Sequence, residues 1–453
     1  MQQAILTVDL GFGDAGKGSI VDYLTRQHDA HSVVRYNGGA QAGHRVVTPS
    51  AAPQEHIFAQ FGSGALAGAA THLSRFMLLD PLAMMVEAQH LHELGLPDPF
   101  QRTTIDARAL VITPFQRAIN RLKEMSRGAG RHGSCGMGIG ETQADALAFG
   151  ERVLRAGDLA YPAVLQEKLE FLRAVNLAKA PFFSDERRAD AQVAAEWNML
   201  TATDWADWLL PAYADFAAAA QIVPGAHLHA ILRRPGAVIF EGAQGVLLDE
   251  WVGFHPHTTW SAATLANADQ LLGEAAYAGR VTRLGITRAY ATRHGAGPLV
   301  SEDVGLTAAL PDAANGFGAW QRDFRVGWLD LVMLRYARDV VGPLDALAVT
   351  CLDRLAELPA IQVCRQYQCD GAIIERLTPA PAPHDLDYQT ALTQTLARCR
   401  PTLTSVTDGD ALLALASAAL GVPIGLVSFG PTAADKQRVR KSNCWVCLEF
   451  RQD

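Results

Sequence analysis

Long apolar runs are missing from the 453-residue chain: none reaches the ~20 residues that a membrane span needs. The start shows no basic-then-apolar leader pattern and enters an apolar, β-branched run at once. Cysteine is scarce and odd in number, seven spread along the chain, which excludes a disulfide framework and fits free thiols in a reducing cytoplasm. On paper Cys364-x4-Cys369 and Cys444-x2-Cys447 make a zinc set, but Ile361–Cys364 reads as a strand and the second pair sits near the tail. Small buried hydrophobes are the better reading of these thiols. A basic excess is also missing, since 39 Lys and Arg against 47 Asp and Glu leave a net charge of −8. That balance argues against a nucleic-acid partner while leaving room for a local basic pocket. No internal repeat or low-complexity tract stands out.

What is present is apolar content, 49% of residues, ample for a large core. Short apolar stretches at 4–10, 32–36, 74–79 and 237–241 read as buried strands. Helical stretches lie between them, one starting at Pro81 with Asp80 as N-cap. This alternation predicts an α/β fold around a large, mostly parallel sheet, with ligands at the carboxyl ends of the strands. Residues from about 160 to 235, rich in Ala, Leu, Glu, Arg and Trp, read as a helical insertion in which Trp197, Trp205 and Trp208 pack. The proline-punctuated stretch 376–402 reads as a surface connection.

The organising motif is Gly11-Phe12-Gly13-Asp14-Ala15-Gly16-Lys17-Gly18, between the first strand and an amphipathic helix start. Turned-in backbone N–H groups, a helix N-terminus and a lysine make such a loop a phosphate cradle. The spacing is that of a P-loop, except that Gly18 replaces the hydroxyl residue that normally meets magnesium, and Asp14 adds a carboxylate. On the motif alone, a glycine-rich turn without a ligand stays open.

The loop resembles the modified P-loop of the adenylosuccinate synthetase family, Gly-Asp-Glu-Gly-Lys-Gly, with Ala15 in place of Glu. The similarity continues through Arg35–His44, Phe240–Gly245, Ala289–Pro298, Gly327–Asp330, Thr350–Asp353 and Ser428–Pro431, in the family's order. It implies one domain over 1–453, its part from about 345 onward binding guanine, and a GTP- and Mg2+-dependent ligase, expected to be a homodimer. Such an enzyme phosphorylates the 6-oxo group of a purine nucleotide such as IMP and joins an amine, aspartate in the family. The resemblance makes Asp14 the base and, with the Gly43 carbonyl, a magnesium ligand. It makes His44 the acid and Gln244 a purine contact. GTP falls to Gly13, Gly16, Lys17, Gly18, Gly43, Asp353, Ser428 and Gly430, with Asp353 selecting guanine. The acceptor nucleotide falls to Asn37, Ser134, Cys135, Gln244 and Thr259, and the amino acid to Arg322 and Arg325.

Two regions depart from the family. Its amino-acid loop loses a Thr pair and keeps two Arg, while Asp323 brings a negative charge toward an incoming dicarboxylate. Its nucleotide loop becomes Gly133–Thr142, the family's cross-subunit Arg has no match (Arg152 is nearest, out of register), and Phe254-His255-Pro256-His257 is atypical. Asp14 and His44 are retained while both acceptor pockets are rebuilt, so a changed amine or nucleotide is expected, a 2-aminopurine deoxynucleotide among them. A GTP-binding regulatory paralogue and a ligase or kinase of a non-purine metabolite are the competing classes. A pure binder has no need of Asp14 and His44, nor a non-purine enzyme of Gln244.

Overall fold

A computed structural model describes residues 2–312, 314–318 and 320–439. Strand Gln2–Asp9, apolar and buried on both faces, lies between the parallel strands Gly236–Glu241 and Arg280–Arg288. Beyond Gly236–Glu241 follow Ser32–Arg35, Ala70–Leu73, Thr103–Asp106 and Gln221–Val223. Beyond Arg280–Arg288 follow Ala346–Thr350, Ile424–Ser428 and Lys436–Arg438, the last pair alone antiparallel. These ten strands form the expected large, mostly parallel sheet. Parallel strands covered on both faces read as continuous apolar runs, which is why they were visible in the sequence.

Helix Lys17–His28 follows the first strand and buries Ile20, Val21 and Leu24 against Ile5, Val33 and Ile239. The region 160–235 is largely helical, with Pro162–Ala178, Ala191–Thr201 and Trp205–Ala219 around a core that includes Leu169, Leu172, Tyr213 and Phe216. Its strand Gln221–Val223, however, extends the main sheet. Trp205 is buried there and Trp197 packs on the same core, whereas Trp208 is 40% exposed. Two expectations are corrected in register. The apolar stretch 74–79 is not one strand, because Met77 N–H turns back to the Ser74 carbonyl between strands Ala70–Leu73 and Leu78–Leu79. The proline-rich stretch 376–402 holds helix Leu386–Leu396, capped by Asp385 and burying Gln389, Thr393 and Leu396. Cys364 and Cys369 are buried free thiols on strand Ile361–Cys369; Cys444 and Cys447 lie outside the described residues. Among the described residues no helix is long and apolar enough to cross a membrane.

Helix Pro81–Glu93 starts as expected, with the Asp80 carboxylate accepting Ala83 N–H at 3.1 Å and Arg117 Nη1 at 3.2 Å. Asp80→Ala is expected to lower the unfolding free energy by about 1–2 kcal/mol through the lost cap and the unpaired Arg117. Urea titration at unchanged m-value measures it.

Candidate functional site

The carboxyl ends of the central strands open into one cleft of about 1420 Å³. The phosphate loop forms its floor. Asp9, at the end of the first strand, accepts Gly11 N–H at 2.8 Å, Ala15 N–H at 3.1 Å and Lys17 Nζ at 2.7 Å, fully buried. Thr350 Oγ1 donates to the Ala15 carbonyl at 2.9 Å, and Arg288 Nε donates to the Asp14 carbonyl. Three strand ends thus fix the loop, and Asp14 sits in it with a positive φ of 59°.

Gly18 explains itself here. A methyl group at this position would stand 2.8 Å from both the His44 carbonyl carbon and the Arg45 carbonyl oxygen. The missing hydroxyl of the P-loop is therefore the condition for strand His44–Val47 to lie against the helix start.

That contact brings His44 to the cleft, where its Nδ1 lies 2.6 Å from Glu241 Oε1. Glu241 also accepts Ser63 N–H at 2.9 Å and the Ser63 hydroxyl. Burial works against its charge, but Arg35, His44 and Ser63 outweigh it and hold the carboxyl down at about 2. Burial pushes the His44 ring down to about 4 against the pull of Glu241. The ionised carboxylate fixes the proton on Nδ1 and leaves Nε2 as the working nitrogen.

The carboxamides of Gln244 and Gln41 are buried and have no hydrogen-bond partner among the described residues. A methyl group at Gly38 would be 3.1 Å from Gln244 Nε2, and one at Gly39 would be 3.1 Å from Gln41 Oε1. The closer obstacles are Ala243 Cβ, 2.6 Å from a methyl at Gly38, and the Leu78 carbonyl oxygen, 2.5 Å from one at Gly39, so the two glycines let this turn pack beside the two amides, whose residues line the cleft. Gln244 was legible in the sequence; Gln41, inside the same matched block, was passed over in favour of Asn37. The Asn37 amide is fully engaged within the protein, donating to Ala243 O at 3.1 Å and Ala262 O at 2.9 Å and accepting Ala243 N–H at 2.7 Å. It holds the Gln244 turn rather than lining the cleft.

Gly13, Gly16, Lys17, Gly18, Gly43, Ser134, Cys135 and Thr259 line the same cleft, as do Asp353, Ser428 and Gly430. Leu352 N–H donates to the Ser428 carbonyl at 3.1 Å, which ties the Asp353 turn to the Ser428–Gly430 turn. Lys436 Nζ, pushed down to about 8 by burial, donates to the Gly430 carbonyl at 2.9 Å. His294, also missed, lies 3.6 Å from Asp14 Oδ2 and 3.2 Å from Asn315 Oδ1. Its signal was available, since it follows Arg293 in a matched block.

Arg322 and Arg325 are not brought into the cleft. Arg325 pairs with Glu302 at 2.6 Å and donates to the carbonyls of Gly295 and Gly297, clamping that turn. Arg322 is exposed beside Phe317, and Asp323 is exposed too. Among the described residues of this loop, Gln321 lines the cleft. Arg152 lies over the Phe171 ring at 3.7 Å.

Comparison with known proteins agrees with this geometry. The family model described as adenylosuccinate synthetase matches residues 6–436. An adenylosuccinate synthetase of Chlorobium phaeobacteroides is 33% identical over 456 residues, covering 95% of this chain and 96% of that protein. One of Thermoplasma acidophilum is 32% identical over 373 residues, covering 81% of this chain and 80% of that one. In fold, the fully ligated adenylosuccinate synthetase of Plasmodium falciparum superposes with a TM-score of 0.75 at 19% identity, covering 96% of this chain and 99% of that one. The succinoaminodeoxyadenylate synthetase of cyanophage S-2L, bound to dGMP and dATP, gives 0.56 at 16% identity, covering 97% of this chain and 95% of that one. Sheet, cleft and relatives define a ligase that forms a carbon–nitrogen bond using GTP. The chain belongs to the adenylosuccinate synthetase family.

Gly18→Ser, which restores the ordinary P-loop residue, is expected to push strand His44–Val47 away and cut turnover by about tenfold or more. Steady-state kinetics with circular dichroism as a folding control tests it.

Proposed function

We propose that the chain uses GTP to phosphorylate the 6-oxo group of a purine 5′-monophosphate such as IMP, then joins an amine at that carbon. The observation that carries this reading is the convergence of Asp14, His44 and Gln244 on one cleft that also reaches Asp353. Asp14 takes the purine N1 proton, so that O6 becomes the nucleophile toward the γ-phosphate. His44 Nε2, backed by Glu241, carries a proton to the developing charge once the phosphates have raised its basicity. Lys17 exchanges its Asp9 partner for phosphate oxygens. The amine then displaces phosphate from the purine carbon.

The Asp14 carboxylate and the Gly43 carbonyl, together with phosphate oxygens, are a hard-oxygen donor set that fits Mg2+. When bound, the ion neutralises charge on the transferring phosphoryl group. The guanine end is assigned to the part from about 345 onward, and a homodimer belongs to the same reading. Aspartate is proposed to be a weak amine here, because neither arginine of the 318–326 loop lines the cleft. The test is a matrix of IMP, GMP and dGMP against aspartate and neutral or basic amines, read by GTP hydrolysis and product mass. Absence of purine-dependent hydrolysis in every cell would overturn the reading.

Asp14→Asn is expected to lower purine-dependent GTP turnover by about 100- to 10,000-fold while GTP binding stays detectable. Turnover within a few-fold of the unmodified enzyme removes Asp14 from the mechanism. GTP is expected to be preferred over ATP, and Asp353→Asn to weaken GTP by about ten- to a hundredfold, because the guanine donors lose a charged acceptor. Competition binding with the two nucleotides measures both.

A further inference from the structure

Three histidines on two loops line the cleft together: His132, after helix Pro114–Arg127, and His255 and His257, just before Thr259. The loops touch, with His257 Nδ1 3.5 Å from the His132 carbonyl oxygen. Ser134, Thr258 and Thr259 line the cleft beside them. The fixed cations that line the cleft at this place are already engaged. Arg127 pairs with Glu124, whose other oxygen accepts Gly133 N–H at 3.0 Å. Arg293 donates to the carbonyls of Ala296, Pro298 and His257, and Arg325 to Glu302 and two carbonyls. Lys123 and Lys179 on the same cleft wall are held by Glu141 and Asp145. The imidazoles are left as the groups here that can gain positive charge.

We infer that His132, His255 and His257 form the seat for the phosphate of the acceptor nucleotide, a phosphomonoester dianion, and take up protons as it binds. This rests on reading the cleft as a purine monophosphate site. Among the described residues no three His, Cys, Asp or Glu side chains are close enough to hold a metal ion, so the cluster is not arranged as a metal site. Burial holds all three rings below the ordinary histidine value. Arg127 and His255 add to this at His132, against Glu124; at His257 Arg293 and Arg325 add to it, while the hydrogen bond to the His132 carbonyl opposes it. Burial thus favours the neutral rings, and a bound dianion favours the protonated ones. The sign follows: binding takes up protons, so affinity is highest on the acid side and falls as pH rises. A nucleotide phosphate gains negative charge through its second ionisation near pH 6, so an effect of the phosphate alone has the opposite sign.

The test is calorimetric binding of IMP and of inosine to the full chain at pH 6.5, 7.5 and 8.5. IMP is expected to weaken by about tenfold or more across that range, with net proton uptake read from buffers of different ionisation heat. Inosine, which lacks the phosphate, is expected to stay constant. In H255Q/H257Q, IMP is expected to bind more weakly at pH 6.5 and to lose most of its pH dependence, with GTP binding retained as the check on folding. A flat IMP profile in the unmodified protein, or an unchanged slope in the double variant, overturns the inference. If IMP, GMP and dGMP all fail to bind at every pH, the purine reading itself falls and takes this inference with it.

Discussion

Glu241 ends a central strand as a fully buried carboxylate, and the His44 side of the cleft hangs on keeping that charge satisfied. An unpaired charge in such a place costs several kcal/mol, so the groups that answer it are held firmly. Those groups come from different parts of the chain: the His44 ring, Ser63 through both its N–H and hydroxyl, and the buried Arg35 beside them. Arg35 in turn donates to the Phe61 carbonyl at 3.0 Å, which steadies the segment that carries Ser63. Packing on Gly18 brings His44 to the cleft, and Glu241 of the sheet then orients its ring. The Asp9 carboxylate plays the same part for the phosphate loop, so adjacent strands each end in a buried acid that organises half of the chemistry.

The sequence disclosed local features and hid convergent ones. The phosphate loop was legible because strand, glycines, lysine and helix are contiguous, and Asp80 because an N-cap acts within one turn. Asp9 was not legible as an organiser, since its role depends on the loop folding back over it. His294 stood in a matched block, but its nearness to Asp14, 280 positions away, arises only from the folded sheet. Register errors had local causes: the run 74–79 has strand-like composition but turns at Met77. In 376–402 the prolines precede and follow helix Leu386–Leu396 and masked it.

The departures from the family pattern also separate in the structure. Those at the phosphate loop keep their neighbours in place, as Gly18 does for His44. On the acceptor side the changes alter chemistry: Arg325 is tied into a turn, Gln321 faces the cleft, and histidines gather near Thr259. The phosphate loop with its neighbours is thereby separable from the loops that carry these changes.

The two unsatisfied amides beside Gly38 and Gly39 have a consequence for discrimination. Each buried carboxamide left without a partner costs about 1–3 kcal/mol, a cost that a ligand offering both a donor and an acceptor would cancel. A ring of the same shape that offers neither leaves the cost standing and adds the loss of any solvent access. Sites built this way reject the apolar isostere far more strongly than an apolar pocket rejects a polar one. A ligand that answered neither amide at Gln41 and Gln244 would be disfavoured there even if it fitted.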